Sequence, residues 1–157
     1  MAQITSISNV SEHIKTVKKV VLVHGVFDLF HAGHLAILME AGKLGSHVIV
    51  GVDSDELTEK IKRRPVFSFS HRLQIVSHID CVAYVLPLRE TENDPDSLFW
   101  KVYSFLRPDI VAFGTHCPFE DNIKRKCSLL GLEAKKVSHA FNDIHTSFYV
   151  ERIRAGG

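Results

Sequence analysis

The sequence predicts a single α/β domain with a parallel sheet of about five strands and helices on both faces. Three observations predict it. Short β-branched runs alternate with amphipathic helical segments along the chain. The runs Val20-Val21-Leu22-Val23 and Val48-Ile49-Val50 are continuously apolar, which suits strands buried on both faces. The length of 157 residues fits one hydrophobic core and leaves little room for a second.

Residues 1–18 are polar and Ser-rich, and read as a partly ordered N-terminal arm ending in a short helix, ahead of a domain over 19–157. The first strand is Lys19 to His24. A helix follows from His34 to Leu44, with Leu35, Leu38 and Met39 as one apolar set widened by Ile37, Ala41 and Leu44. Gly45 stands where a left-handed C-cap would sit. His47 to Val52 is the second strand, followed by a turn at Asp53-Ser54-Asp55. Ser70 caps a helix running to Ile79, with Leu73, Val76 and Ile79 on one face. Cys81 to Leu86 is the third strand. Asp96 to Leu106 is a helix closed by Arg107-Pro108, because the residue before proline avoids the helical region. Asp109 to Phe113 is the fourth strand, ending at Gly114. Ile123, Cys127 and Leu130 mark a helix capped by Gly131. Glu133 to Ser138 is a weaker fifth strand, and Ser147 to Arg154 a final helix. The arrangement is Rossmann-like. Ligands in such sheets bind at the carboxyl ends of strands, near the topological switch point. That directs attention to the turns after Val23, Val52 and Phe113.

Composition narrows the function classes. The chain is 45% hydrophobic and 24% charged, with 19 Lys and Arg against 18 Asp and Glu. A balance of +1 gives no support for nucleic-acid binding or for an anionic membrane surface. No apolar run is long enough to span a bilayer, and no secretory signal is visible at Met1 to Ser6. Cys81, Cys117 and Cys127 lack C-x-x-C spacing, so a cytoplasmic, reducing compartment is expected. The histidines form no ligand cluster of zinc-site spacing, so no protein-held metal is expected.

The chemistry concentrates in Gly25-Val26-Phe27-Asp28-Leu29-Phe30-His31-Ala32-Gly33-His34, where a strand leads into a helix. Glycine lets the backbone approach a ligand closely. A helix N-terminus offers free N–H groups and the positive end of the dipole, which attract phosphate. Two imidazoles beside it can hydrogen-bond phosphate oxygens and stabilise charge at an attacked phosphorus. Neither G-x-G-x-x-G nor G-x-x-x-x-G-K-[ST] is present, so phosphate is handled by another device.

This segment resembles the nucleotidylyltransferase superfamily with the signature G-x-F-D-x-x-H-x-G-H, through Gly25, Phe27, Asp28, His31, Gly33 and His34. Val50 to Leu57 resembles the family's second strand and following turn. Lys62-Arg63-Arg64-Pro65 with His71-Arg72 resembles its basic loop and next helix. Ile144-His145-Thr146-Ser147 resembles its closing I-S-T-[ST] motif. The resemblance implies attack by an acceptor phosphate on the α-phosphorus of a nucleoside triphosphate, with release of pyrophosphate and with Mg2+ on the triphosphate. It implies His31, His34 and Lys62 as catalytic residues. It places Gly25, Val26, Phe27, Asp28, Gly33, Gly114, Thr146 and Ser147 at the nucleotide, with Asp28 orienting the turn rather than acting as a base. It places Asp53, Arg64 and Arg72 at the acceptor, with anchoring of the loop as the alternative for Arg72. It also implies a homodimer.

Within the family, Gly25 to His31 and Gly51 to Thr58 read close to the phosphoalcohol cytidylyltransferases of the glycerol-3-phosphate type, so CTP and a small phosphorylated alcohol are the expected substrates. Two departures keep an ATP-dependent adenylyltransferase acting on heptose 1-phosphate, or on FMN, as the alternative. Asp80 to Val85 stands where those cytidylyltransferases carry R-Y-V-D-E-V, and Ala140 to Asp143 where they carry R-T-E-G. Both arginines are missing, as in the heptose-phosphate adenylyltransferases, whose basic-loop-plus-proline pattern Lys62 to Pro65 resembles. Gly114-Thr115-His116 also lacks the aspartate that many members carry after the glycine. If CTP is the substrate, Arg72, the Lys62-Arg63-Arg64 loop and backbone N–H groups around Gly114 and Asn142 are the candidates for the work of the missing arginines. A non-catalytic nucleotide sensor is the alternative of another class.

Overall fold

Strand β2 (Val20–Gly25) lies inside a parallel sheet, flanked by β3 (His47–Asp53) and β5 (Ile110–Gly114). The computed structural model describes residues 1–89, 95–141 and 144–156. The sheet is completed by β1 (Gln3–Ile4), β4 (Val82–Leu88) and β6 (Glu133–Val137), in the order β1-β4-β3-β2-β5-β6. From β2 the chain builds outward to β3 and β4, then crosses to β5 and β6 on the other side. The strand order therefore reverses between β2 and β5, and the carboxyl ends of those strands frame a crevice.

Side-chain alternation along the strands divides the core in two. Val21, Val23, Val48 and Val50 face α2 (Ala32–Leu44) and α4 (Phe69–Ser77), where Leu38, Leu73 and Val76 pack. Leu22, Ile49 and Val111 face the opposite layer. That layer comprises α1 (Ile7–His13), α5 (Pro95–Leu106) and α6 (Glu120–Leu130), which contribute Val10, Tyr103 and Ile123. Each fully buried aliphatic side chain contributes about 1.5–3 kcal/mol to this layering. Two further helices, α3 (Asp55–Ile61) and α7 (Thr146–Arg154), lie at the carboxyl edge of the sheet. Among the described residues, no helix is long and apolar enough to cross a membrane.

Several elements differ from the sequence expectation. The sheet has six strands rather than about five, because Gln3 and Ile4 of the arm pair with Tyr84 and Val85 at the edge of β4. Two residues carry no readable period, and only the open edge makes them a strand. The arm continues into α1, capped by Ser6, and buries Val10 completely. The turn expected after Asp53 is the start of α3. There the Ser54 hydroxyl accepts from the Leu57 N–H at 3.2 Å, and Asp55 and Glu56 complement the helix dipole. Helix α4 is capped by Ser68 rather than Ser70 and ends at Ser77. On α2, Leu35 and Met39 are 38% and 53% exposed, so the buried stripe is narrower than expected and centres on Leu38 and Ala41.

Gly131 takes the expected left-handed cap at φ 68°. Gly45 does not: its backbone is extended, at φ −155° and ψ 176°. Space is what requires glycine there, since an added Cβ would lie 2.3 Å from the Lys19 carbonyl oxygen and 2.6 Å from Val21 Cγ2. Gly45→Ala is therefore expected to destabilise the domain by about 1–3 kcal/mol through overpacking. A lowered urea midpoint with unchanged slope is the readout, and a midpoint equal to that of the wild type would contradict it.

Candidate functional site

The chain leaves β2 through a tight turn in which Phe27 and Leu29 both take positive φ, 54° and 44°. Non-glycine residues hold such conformations only where the surroundings over-determine them. Here the Asp28 carboxylate does so. Its Oδ1 accepts from the N–H groups of Leu29 (3.0 Å) and Phe67 (2.9 Å). Its Oδ2 accepts from the Val66 N–H (2.9 Å) and from Arg63 Nη2 (3.1 Å). Asp28 thus orients the turn and ties it to the 63–67 segment, beside Lys62 at the C-cap of α3.

The histidine pair opens α2. The His31 ring accepts from the Gly33 N–H through Nδ1 at 3.1 Å and so caps the helix. That bond leaves the ring proton on Nε2, which is buried without a partner. His34 stacks on His31 with ring centroids 3.9 Å apart, and its Nδ1 is likewise buried without a partner. Phe27 and Phe30 flank the His34 ring at 5.4 and 5.5 Å. Burial, reinforced by His31, pushes the His34 pKa down to about 3. Burial also lowers His31, with His145 and His139 acting in the same direction. Both rings are neutral near pH 7, with donors ready for an anion. Gly33 permits the close approach of the last motif, because an added Cβ would meet the Ile144 carbonyl oxygen at 2.9 Å. The Thr146 hydroxyl donates to the Asp28 carbonyl oxygen at 3.0 Å, which locks the start of α7 against the motif turn.

These elements enclose a cleft of about 300 Å³ at the switch point. Gly25, Val26, Phe27, Asp28, His31, Gly33 and His34 form one side of it. Asp53, Lys62, Gly114, Thr146 and Ser147 complete the set of expected residues on its walls. Asp53 is buried, its Oδ1 has no partner, and burial pushes its pKa up to about 7 against the opposing pull of Arg72 and Lys62.

Two expected acceptor contacts lie elsewhere. Arg72 is fully buried and does not line the cleft. Its guanidinium donates to the carbonyl oxygens of Asp53 (2.7 Å) and Phe67 (3.2 Å), to the carbonyl oxygen of Val26, and to Asp55 Oδ1 (2.7 Å). It is the anchor of the loops, the alternative that the sequence left open. Arg64 points to solvent, with an 83% exposed side chain, and pairs with Glu59 at 3.5 Å. The backbone around Asn142 lies outside the described residues. The sequence reading missed Phe99, Phe119, His116 and His139 on the cleft walls. His116 was signalled only as the departure after Gly114, Phe99 carried the pattern of an ordinary helix-facing residue, and Phe119, at the N-cap of α6, carried no periodic signal.

A family model described as cytidylyltransferase-like matches residues 22–153. The "Bifunctional protein HldE" of Yersinia pestis (strain Pestoides F) is 32% identical over 143 residues, covering 88% of this chain and 28% of that protein. The protein of the same name from Hydrogenovibrio crunogenus is 36% identical over 99 residues, covering 62% of this chain and 19% of its own length. The chain thus spans less than a third of these curated relatives. Among solved structures, the lipopolysaccharide core biosynthesis protein from Thermoplasma volcanium is similar at 27% identity, with TM-score 0.67, covering 77% of this chain and 97% of that one. Pantothenate synthetase from Thermus thermophilus, at 14% identity and TM-score 0.58, covers 87% of this chain and 61% of that one, and shares the fold alone.

The buried rings make stability depend on pH with a definite sign. Burial pushes His24 from 6.5 to about 4, and His34 falls to about 3. The unfolded chain therefore binds protons that the folded chain refuses, and stability falls as pH drops from about 6.5 towards 4. Asp53 acts oppositely, because its raised pKa costs stability as pH rises from about 4 to about 7. In urea titrations from pH 7 to pH 4, His34→Asn is expected to flatten the dependence by up to about 1.4 kcal/mol per pH unit. Asp53→Asn is expected to steepen it. The same slope in all three proteins would refute this assignment.

Proposed function

The chain belongs to the cytidylyltransferase-like family of nucleotidyltransferases, and from that premise we propose that it transfers adenylate from ATP to a sugar phosphate, releasing pyrophosphate. The observation that carries the transfer chemistry is the stacked pair His31 and His34, with unpartnered ring nitrogens at the switch-point cleft. The preference for CTP drawn from the motif yields to its adenylyl alternative. Support for ATP comes from the absence of both arginines and from the Lys62 to Pro65 pattern, each resembling the heptose-phosphate adenylyltransferases. Likeness to a protein of lipopolysaccharide core biosynthesis supports a carbohydrate acceptor.

In the proposed reaction an acceptor phosphate oxygen forms a bond to the α-phosphorus. The bond from that phosphorus to the αβ-bridging oxygen breaks, and pyrophosphate leaves with the electron pair. The acceptor is already ionised, so no general base is needed. His31 donates from Nε2, and His34 stands beside the α-phosphate. Lys62 bridges the two reacting phosphates, and Thr146 and Ser147 hold the leaving group at the start of α7. The buried ring nitrogens of His31 and His34 are pre-positioned and shielded from water, which strengthens charge stabilisation. Magnesium bound to the triphosphate would neutralise its negative charge. Among the described residues no group of three His, Cys, Asp or Glu could hold a metal ion, so the triphosphate itself would supply most of the ligands. Asp53, with its unpartnered buried oxygen, would face that ion.

Incubation with ATP or CTP and a panel of hexose and heptose 1-phosphates, glycerol 3-phosphate and FMN, with pyrophosphate detection, tests this reading. The expected result is release with ATP and a sugar phosphate. His34→Ala should lower turnover by about 10²–10³-fold by removing a transition-state donor. Release with CTP and glycerol 3-phosphate alone would restore the cytidylyl reading. Nucleotide binding without release from any acceptor would favour a sensor.

Assembly as a homodimer belongs to the same proposal, with Trp100 and Phe105 on α5 offering 38% and 57% exposed aromatic surface. Sedimentation of a monomer at micromolar concentration would exclude it.

A further inference from the structure

We propose that a second cavity, between α3, α5 and α6, receives the sugar ring of the acceptor; this rests on the sugar-phosphate reading above. The cavity measures about 380 Å³. That is within the ~300–1,000 Å³ typical of small-molecule sites. His24, Ile61, Phe99 and Phe119 line both it and the phosphate cleft, so one molecule can keep its phosphate beside His34 and Lys62 while its body enters the second space.

The walls match the surface of a pyranose. Such a ring has apolar C–H faces and a rim of hydroxyls, so it needs flat apolar walls together with mixed donors and acceptors. Phe99 and Phe119 supply aromatic surface, and the His24 ring is stacked on Phe99 at 4.4 Å. Two of its polar groups are deeply buried. Tyr103 is fully buried, with its hydroxyl 2.6 Å from His24 Nε2. Lys126 is 2% exposed. Its ammonium, with three donors, meets the Asp96 carboxylate and, at 2.6 Å, Asn122 Oδ1. Asn122 Nδ2 donates to Asp96 Oδ1 at 2.5 Å.

Packing alone does not call for this network. Lys126 is buried while the side chain of its partner Asp96 is 43% exposed, and a pair that draws one charge out of water is often no more stabilising than an apolar replacement of the same volume. Ile123 and Cys127, beside Lys126 on α6, show that the helix can present apolar groups to this layer. A polyhydroxylated ligand gives the network a use. Lys126 has a third donor beyond Asp96 and Asn122, and the Asp96 carboxylate can accept. The Tyr103 hydroxyl keeps a second bonding capacity beside His24, and Asn122 holds Lys126 and Asp96 in place. A three-carbon phosphoalcohol would leave much of the space unfilled.

Isothermal titration of the full chain with mannose 1-phosphate, glucose 1-phosphate, glycerol 3-phosphate and inorganic phosphate tests the assignment without turnover. At least one sugar phosphate is expected to bind ten-fold or more tightly than inorganic phosphate and glycerol 3-phosphate. Asn122→Ala and Tyr103→Phe should each cut that preference by at least three-fold. Thermal melts identify a variant that fails to fold; if Tyr103→Phe does, Asn122→Ala decides alone. Sugar phosphates binding no better than inorganic phosphate would overturn the pocket, as would a preference that survives Asn122→Ala. A sugar preference lost in Asn122→Ala, with no pyrophosphate release from any nucleotide, would overturn the transfer reading and leave the pocket standing.

Discussion

A single carboxylate holds the cleft together. Asp28 is 3% exposed and takes up its acceptor capacity on the N–H groups of Leu29, Val66 and Phe67 and on Arg63. A buried charge of this kind is tolerable only when paired and hydrogen-bonded, and removing a partner leaves a large desolvation cost. That asymmetry fixes the relation between two loops far apart in sequence. One carries the histidine pair and the other follows Lys62. Arg72 reinforces the same junction from below, directing its donors to Val26, Asp53, Phe67 and Asp55. The α7 terminus joins through Thr146 and the Asp28 carbonyl. Groups that the proposed transfer would bring to one phosphorus are thus positioned by polar contacts that rigid strands alone could not supply.

The electrostatics of the cleft follow from this enclosure. Imidazoles packed against each other and against aromatic rings lose hydration, so they stay neutral near pH 7 and act as fixed dipoles rather than as charges. Neutral donors grip an anion without competing for a counter-ion in its absence. Lys62 adds cationic charge at the cleft wall. Such a site suits the proposed transfer, in which charge moves between phosphate oxygens and no protein atom needs to give up a proton.

Local signals carried much of this into the linear sequence. The ten residues from Gly25 to His34 specify a strand end, a turn and a helix start, and each of their roles depends on close neighbours. The β-branched runs marked the central strands because burial on both faces leaves only apolar positions. Helix α3 was also legible in principle: Ser54 with Asp55 and Glu56 is a capping signal, obscured because the run that follows is short and mostly polar.

Features that depend on residues within a turn or two of one another were set by the chain's local order. They include the αβ alternation, the glycine cap at Gly131 and the histidine-bearing helix start. Features that pair distant segments were decided by the packed structure alone. Gln3 and Ile4 became a strand because β4 had an open edge. Gly45 is required by the Lys19 carbonyl opposite it rather than by its own dihedral angles. Arg72 became a buried clamp because loops from three parts of the chain present carbonyl oxygens around it. Phe99 and Phe119 reach the cleft only because α5 and α6 pack on one face of the sheet. A side chain's identity limits what it can bind, whereas the partners it meets are set by the packing of elements distant in sequence.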